Sequence, residues 1–85
     1  MKNIEIYTLD YCPYCQKAKI FLDELNVKYS EHSCEENEEE MRIKLKEKYN
    51  LSSLATFPQI IIDGKNIGGY SDLIEKYNSK EISFD

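Results

Sequence analysis

Apolar and polar residues alternate at the start of the chain, with Ile4, Ile6 and Thr8 set against Glu5 and Tyr7. A period of two predicts a strand with one buried face. The rhythm then changes. From Pro13 to about Leu25, the residues Cys15, Ala18, Leu22 and Leu25 recur at helical spacing, while Gln16, Lys17, Lys19, Asp23 and Glu24 take the other side. Val27 to about Ser33 alternates again as a short second strand. A charged helix over about Glu36 to Asn50 follows, with Met41, Leu45 and Tyr49 on one stripe and Ile43 off it. Ser33 and Glu36 have the spacing of a capping box, and Glu35, Glu36 and Glu38 crowd the positive end of that helix.

Beyond a Ser/Leu/Thr loop, Gln59-Ile60-Ile61-Ile62 is the most apolar run and is predicted to be the central buried strand. Asp63-Gly64 signals a hairpin, with Asn66-Ile67-Gly68 returning antiparallel. Gly68-Gly69 breaks that strand. A last helix from about Ser71 to Asn78 buries Leu73, Ile74 and Tyr77, and Asp72 with Glu75 has the spacing of a second capping box. The predicted order is β-α-β-α-β-β-α, an α/β chain. Its first βαβ unit must be parallel and right-handed, so its helix packs on one sheet face and Cys12 sits at the solvent-reaching tip.

Eighty-five residues suffice for one domain, residues 1–85, with a single modest core. No stretch approaches a membrane span, and the N-terminus has no signal-peptide pattern. Three cysteines, an odd number, argue against an extracellular disulfide framework and for the reducing cytoplasm. A net charge of −5 excludes the usual basis of nucleic-acid binding, which is neutralisation of phosphates by Lys and Arg.

The chemistry concentrates in Cys12-Pro13-Tyr14-Cys15, at a strand-to-helix junction. Two cysteines at this spacing form a site for thiol–disulfide exchange. A helix start offers unpaired N–H groups and a positive dipole end, both of which favour a thiolate. Pro13 suits the first helical position, where its missing N–H costs nothing. The dipole supplies ~0.3–1 kcal/mol, up to ~2 in good geometry, so larger stabilisation needs N–H bonds to sulfur or a nearby cation. Cys15, one turn in and on the apolar stripe, is expected to ionise less readily and to act only as a resolving thiol.

Three segments in order carry a family resemblance: Cys12-Pro13-Tyr14-Cys15 after Ile6-Tyr7-Thr8, Thr56-Phe57-Pro58-Gln59 before a strand, and Gly68-Gly69-Tyr70-Ser71-Asp72 at the last helix. Together they resemble the dithiol glutaredoxins, small members of the thioredoxin-fold superfamily, over essentially the whole chain. Thioredoxins usually carry Trp-Cys-Gly-Pro-Cys and lack the final Gly-Gly-x-x-Asp, so the match is to the glutathione-using branch. The resemblance implies a four-stranded mixed sheet flanked by three helices. It also implies a glutathione-dependent thiol–disulfide oxidoreductase, with Cys12 as nucleophile and Cys15 as resolving thiol. Glutathione is then a co-substrate contacted by Tyr14, Thr56, Phe57, Pro58, Gly69, Ser71 and Asp72, with Pro13 and Gly68 structural.

In this reading Pro58 is cis, and the Phe57 backbone pairs with the cysteinyl part of glutathione as an added strand. The start of the last helix binds a carboxylate, and Asp72 meets the γ-glutamyl amino group. Partners are glutathione and disulfide-containing or glutathionylated proteins. The protein is expected to be a monomer with no bound cofactor or metal.

The chain departs from the pattern in two places. Many glutaredoxins have Lys three residues before the first cysteine, where this chain has Leu9, followed by Asp10; the family Thr-Val-Pro is Thr56-Phe57-Pro58. The lost cation leaves Lys17 or Lys19, a turn along the helix, to compensate. Two rivals share the same residues. One is an electron carrier reduced by a thioredoxin-reductase-type flavoenzyme, which Leu9 leaves open and Gly68 to Asp72 speaks against. The other is a metal or iron–sulfur binding module, with His32 and Cys34 joining Cys12 and Cys15 as zinc ligands. Cys34 otherwise reads as an inert or partly exposed thiol ending the second strand, and Tyr7, Tyr29, Tyr49 and Tyr77 as core or half-buried packing.

Overall fold

A computed structural model describes residues 3–84. Its elements follow the predicted order: β1 (Ile4–Thr8), α1 (Pro13–Glu24), β2 (Ser30–Ser33), α2 (Glu38–Tyr49), β3 (Gln59–Ile62), β4 (Lys65–Gly68) and α3 (Tyr70–Asn78). The four strands form one mixed sheet in the order β2-β1-β3-β4. β1 runs parallel to β2 and antiparallel to β3, and β4 returns antiparallel to β3.

The strand period explains the core. Ile4 and Ile6 of β1 lie opposite Ile62 and Ile60 of β3, on one face. That face packs with Ala18 and Leu22 of α1, Ile67 of β4 and Leu73 of α3 into the main apolar cluster. Ile61 points to the opposite face and is also fully buried, which is why β3 reads as continuously apolar rather than alternating. Leu45 of α2 is buried, while Ile43, predicted off the stripe, is exposed. Tyr7, Tyr29, Tyr49 and Tyr77 are half-buried. The Asp63-Gly64 turn has φ of 51° and 81°, the left-handed pair that a two-residue hairpin turn requires.

Several boundaries differ from expectation, three of them in how an element starts or is capped. β2 begins at Ser30 rather than Val27, because the end of α1 claims the intervening residues: Asn26 is left-handed (φ 58°) and the Val27 N–H donates to Leu22 O at 3.0 Å. α2 begins at Glu38 after Asn37, so the Ser33–Glu36 capping box does not form. Ser33 is still paired with Thr8 in the sheet, and its hydroxyl accepts only a long 3.5 Å bond from Glu35 N–H. α3 begins at Tyr70 rather than Ser71, and the expected Asp72–Glu75 box gives way to a single cap bond in which Asp72 is the third helical residue. Gly69 is the cap residue, and Asp72 Oδ2 accepts its N–H at 3.0 Å. The cause is Gly68, whose φ of 105° turns the chain into the helix sooner than an L side chain permits.

Candidate active site

The antiparallel pairing brings three distant segments to one end of the sheet. Tyr7 lies opposite Gln59, so the loop leaving β1 meets the loop entering β3. Gly68 lies opposite Ile60, so the end of β4 arrives at the same edge. Cys12, Pro58 and Gly69 are thereby neighbours in space while 46 and 11 residues separate them in sequence (58 − 12 and 69 − 58).

Cys12 caps α1. Its backbone is extended (φ −94°, ψ 108°), and Pro13 takes the first helical position. The Cys15 N–H donates to Cys12 Sγ at 3.2 Å, one of the free N–H groups at the helix start turned onto sulfur. On its other side the Cys12 thiol donates to Phe57 O at 3.5 Å. The Phe57–Pro58 peptide is cis. Cys12 is partly accessible, whereas Cys15 is fully buried. Burial, reinforced by the hydrogen bond to the Cys12 sulfur, pushes the Cys15 thiol up to about 12. At neutral pH Cys15 is a neutral thiol.

A groove of about 210 Å³ opens beside the sulfur, lined by Tyr14, Thr56, Phe57, Pro58, Gly69, Tyr70, Ser71 and Asp72. Every residue assigned to glutathione from the sequence lies on this wall. A larger groove of about 480 Å³ lies at the C-terminal end among Leu25, Tyr77, Ile82 and Phe84, and no cysteine lines it. Gly69 comes close to the neighbouring loop: a Cβ there would stand 3.3 Å from Pro58 O. The first turn of α3, whose N–H groups have no partner within the helix, lines this groove.

One wall residue and one cation behind the wall were not anticipated. Tyr70 sits 6.0 Å from Tyr14, ring centroid to centroid, and extends the aromatic rim. The sequence signal was its place inside Gly68 to Asp72. Arg42 supplies a cation: its guanidinium lies 5.0 Å over the Phe57 ring, and Nη1 donates to Ala55 O at 2.8 Å. No pattern links Arg42 to a loop thirteen residues later, so only folding reveals it.

Each cation proposed to replace the missing lysine has a partner of its own. Leu9 itself is buried. Lys17 Nζ lies 5.0 Å over the Tyr14 ring. Lys19 pairs with Glu31 at 2.9 Å; the Thr8 hydroxyl and Lys19 together hold that carboxyl below its usual range. Cys34 is buried rather than exposed, extends the ladder through its N–H to Thr8 O at 2.8 Å, and has its thiol pushed up by burial. His32 stacks on Tyr7 and contacts Glu5 Oε1 at 3.0 Å. Among the described residues no three His, Cys, Asp or Glu side chains converge as a metal site, so the four zinc-type donors do not come together. No described helix is long and apolar enough to cross a membrane.

Comparison with known proteins agrees with this geometry. The Glutaredoxin family model matches residues 4–67. Glutaredoxin 1 of Rickettsia bellii is 44% identical over 72 residues, 85% of this chain and 74% of the relative. Glutaredoxin 3 of Escherichia coli K12 is 41% identical over 73 residues, 86% of this chain and 83% of the relative. Among solved structures, glutaredoxin 1 of Francisella tularensis, complexed with cacodylate, superposes with a TM-score of 0.78 at 26% identity, covering 95% of this chain and 98% of that one.

Proposed function

This chain belongs to the glutaredoxin family, the glutathione-dependent thiol–disulfide oxidoreductases of the thioredoxin fold, and on that premise we propose how its own residues divide the work. Cys12 is the nucleophile. Its thiolate attacks the glutathionyl sulfur of a mixed disulfide; the Cys12–glutathione bond forms, and the substrate thiolate leaves and takes a proton from solvent. A second glutathione thiolate then attacks the bound glutathionyl sulfur, giving glutathione disulfide and regenerating Cys12. With protein disulfides, the Cys12 thiolate first attacks one partner sulfur and forms a Cys12–partner disulfide. Cys15 then loses its proton and attacks the Cys12 sulfur, closing Cys12–Cys15 and expelling the reduced partner. Two glutathiones return the pair to the dithiol, leaving as glutathione disulfide.

The observation that carries this reading is the Cys12 sulfur, 3.5 Å from Phe57 O at the mouth of the groove and bonded by the Cys15 N–H. Glutathione lies in that groove as an added strand along Phe57, with one carboxylate at the first turn of α3 and its γ-glutamyl amino group near Asp72. The guanidinium of Arg42, behind the Phe57 ring, supplies the positive field for the other carboxylate. Neither a bound cofactor nor a metal takes part. The protein works as a monomer in the reducing cytoplasm, on glutathionylated and disulfide-containing proteins.

Coupled turnover on a glutathione mixed disulfide tests this, with glutathione and glutathione reductase compared against thioredoxin reductase as electron source. Turnover is expected only with the glutathione system. Cys15→Ser should keep most deglutathionylation and lose reduction of ordinary protein disulfides, and Cys12→Ser should lose both. Equal losses from the two substitutions would refute the division of roles.

A further inference from the structure

Glu38 is joined to both sides of the reactive sulfur. Its Oε1 accepts from the Tyr11 hydroxyl at 2.7 Å, and Tyr11 immediately precedes Cys12. Its Oε2 accepts from Arg42 Nη2 at 2.7 Å and Nε at 3.2 Å. Arg42 in turn reaches Ala55 O and covers the Phe57 ring, in the loop whose carbonyl meets Cys12 Sγ. The loop before the nucleophile and the loop of the cis proline are thus bridged through one carboxylate.

Charge gives this bridge a consequence for substrate choice. Arg42 is the cation at the Phe57 wall and Lys17 stands over Tyr14, while Leu9 occupies the place where a further cation would be expected and Lys19 is paired with Glu31. Of the five N–H donors of a guanidinium, three are engaged by Glu38 and Ala55, leaving two without a partner among the described residues. The Glu38 charge cancels much of the attraction that Arg42 exerts on an anion. Both side chains remain accessible, at 31% and 27%, so water screens the pair and the effect is modest.

We propose that Glu38 is a specificity-determining residue that acts through Arg42: it lowers the preference of the reduced site for anionic glutathionyl disulfides over neutral ones. This rests on the family reading above for the nature of the substrate, and it adds a residue that does not touch substrate. The test uses pre-reduced protein as the only reductant. Its Cys12/Cys15 dithiol is oxidised to the disulfide by oxidised glutathione or by neutral bis(2-hydroxyethyl) disulfide, each of which yields two thiols. The readout is the ratio of the two second-order rate constants.

Glu38→Gln is expected to raise the ratio of glutathione disulfide to neutral disulfide about two- to fivefold, the range set by an exposed ion pair. Glu40→Gln removes the same charge from a carboxylate paired with Lys44 instead, and should change the ratio less. In an Arg42→Gln background, Glu38→Gln should have no effect on the ratio, because the group it acts through is gone. If Glu38→Gln slows both disulfides alike, Glu38 only braces the loops and the proposal falls. If Glu40→Gln raises the ratio equally, the effect is one of overall charge and the proposal falls as well. Absence of glutathione-coupled turnover in the unmodified protein would overturn the family reading instead, since that assay does not depend on Glu38.

Discussion

Cys12 and Cys15 stand one helical turn apart yet meet different surroundings, because the cap position turns one sulfur toward the groove mouth while the helix interior buries the other. The buried thiol carries a pH signature. Its folded value, about 12, lies above the ordinary 9.0, so the neutral form is favoured by folding. A raised value contributes stability that is fully present below the unfolded pKa and is lost as pH climbs toward the folded one. The urea midpoint should therefore decline between about pH 9 and about pH 12, and Cys15→Ala should flatten that decline. An identical slope in the variant would show that Cys15 ionises as easily folded as unfolded. Both cysteines and their spacing were legible in the sequence. The accepting Phe57 carbonyl and the covering Arg42 were not, because each depends on contacts across more than ten residues of chain.

Among the elements, α3 shows how one glycine places a wall of the groove. Gly68 is left-handed, and a Cβ on it would run into the Asp72 side chain, the same carboxylate that caps the helix at Gly69. Gly68→Ala should cost ~1–3 kcal/mol, from the strained backbone and the displaced cap. Urea unfolding measures the cost, and KM for a glutathione mixed disulfide should rise in the same variant. An unchanged KM would mean that the helix start does not contact glutathione. The Gly-Gly pair was readable as a strand break. Its register was not, since Asp72 can either cap a helix itself or reach back as its third residue to the Gly69 N–H, and the backbone turn decides between them. The charged helix shifted for a related reason: Ser33 spends its residue on the sheet before it can cap anything.

Across the whole molecule, most of the apolar cluster is made of residues that do not line the groove. Leu22 is fully buried in the cluster formed by β1, β3, β4, α1 and α3. Leu22→Ala should cost ~2–5 kcal/mol in denaturant unfolding while kcat/KM, measured well below the transition, stays within about twofold. Ile43→Ala, at an exposed position, should stay within about 0.5 kcal/mol of the parent. A large loss at Ile43 would indicate a surface packed against something other than solvent. The exposed edge strand β2 carries Glu31 and His32, charged or chargeable residues of the kind that discourage edge-to-edge pairing.

Local signals in the chain determined the identity and order of the elements, the hairpin and the placing of the two thiols on a helix start. Periodicity, proline, glycine and cysteine spacing act over a few residues and need no partner. The three-segment resemblance named the groove residues as well, because their separations follow from the family's fold. Tertiary structure alone decided the engagement of Lys17 with the Tyr14 ring and of Lys19 with Glu31, and the arrival of Arg42, held by Glu38, over Phe57. Those features depend on which surfaces face one another after the sheet has paired, and a one-dimensional pattern does not contain that distance.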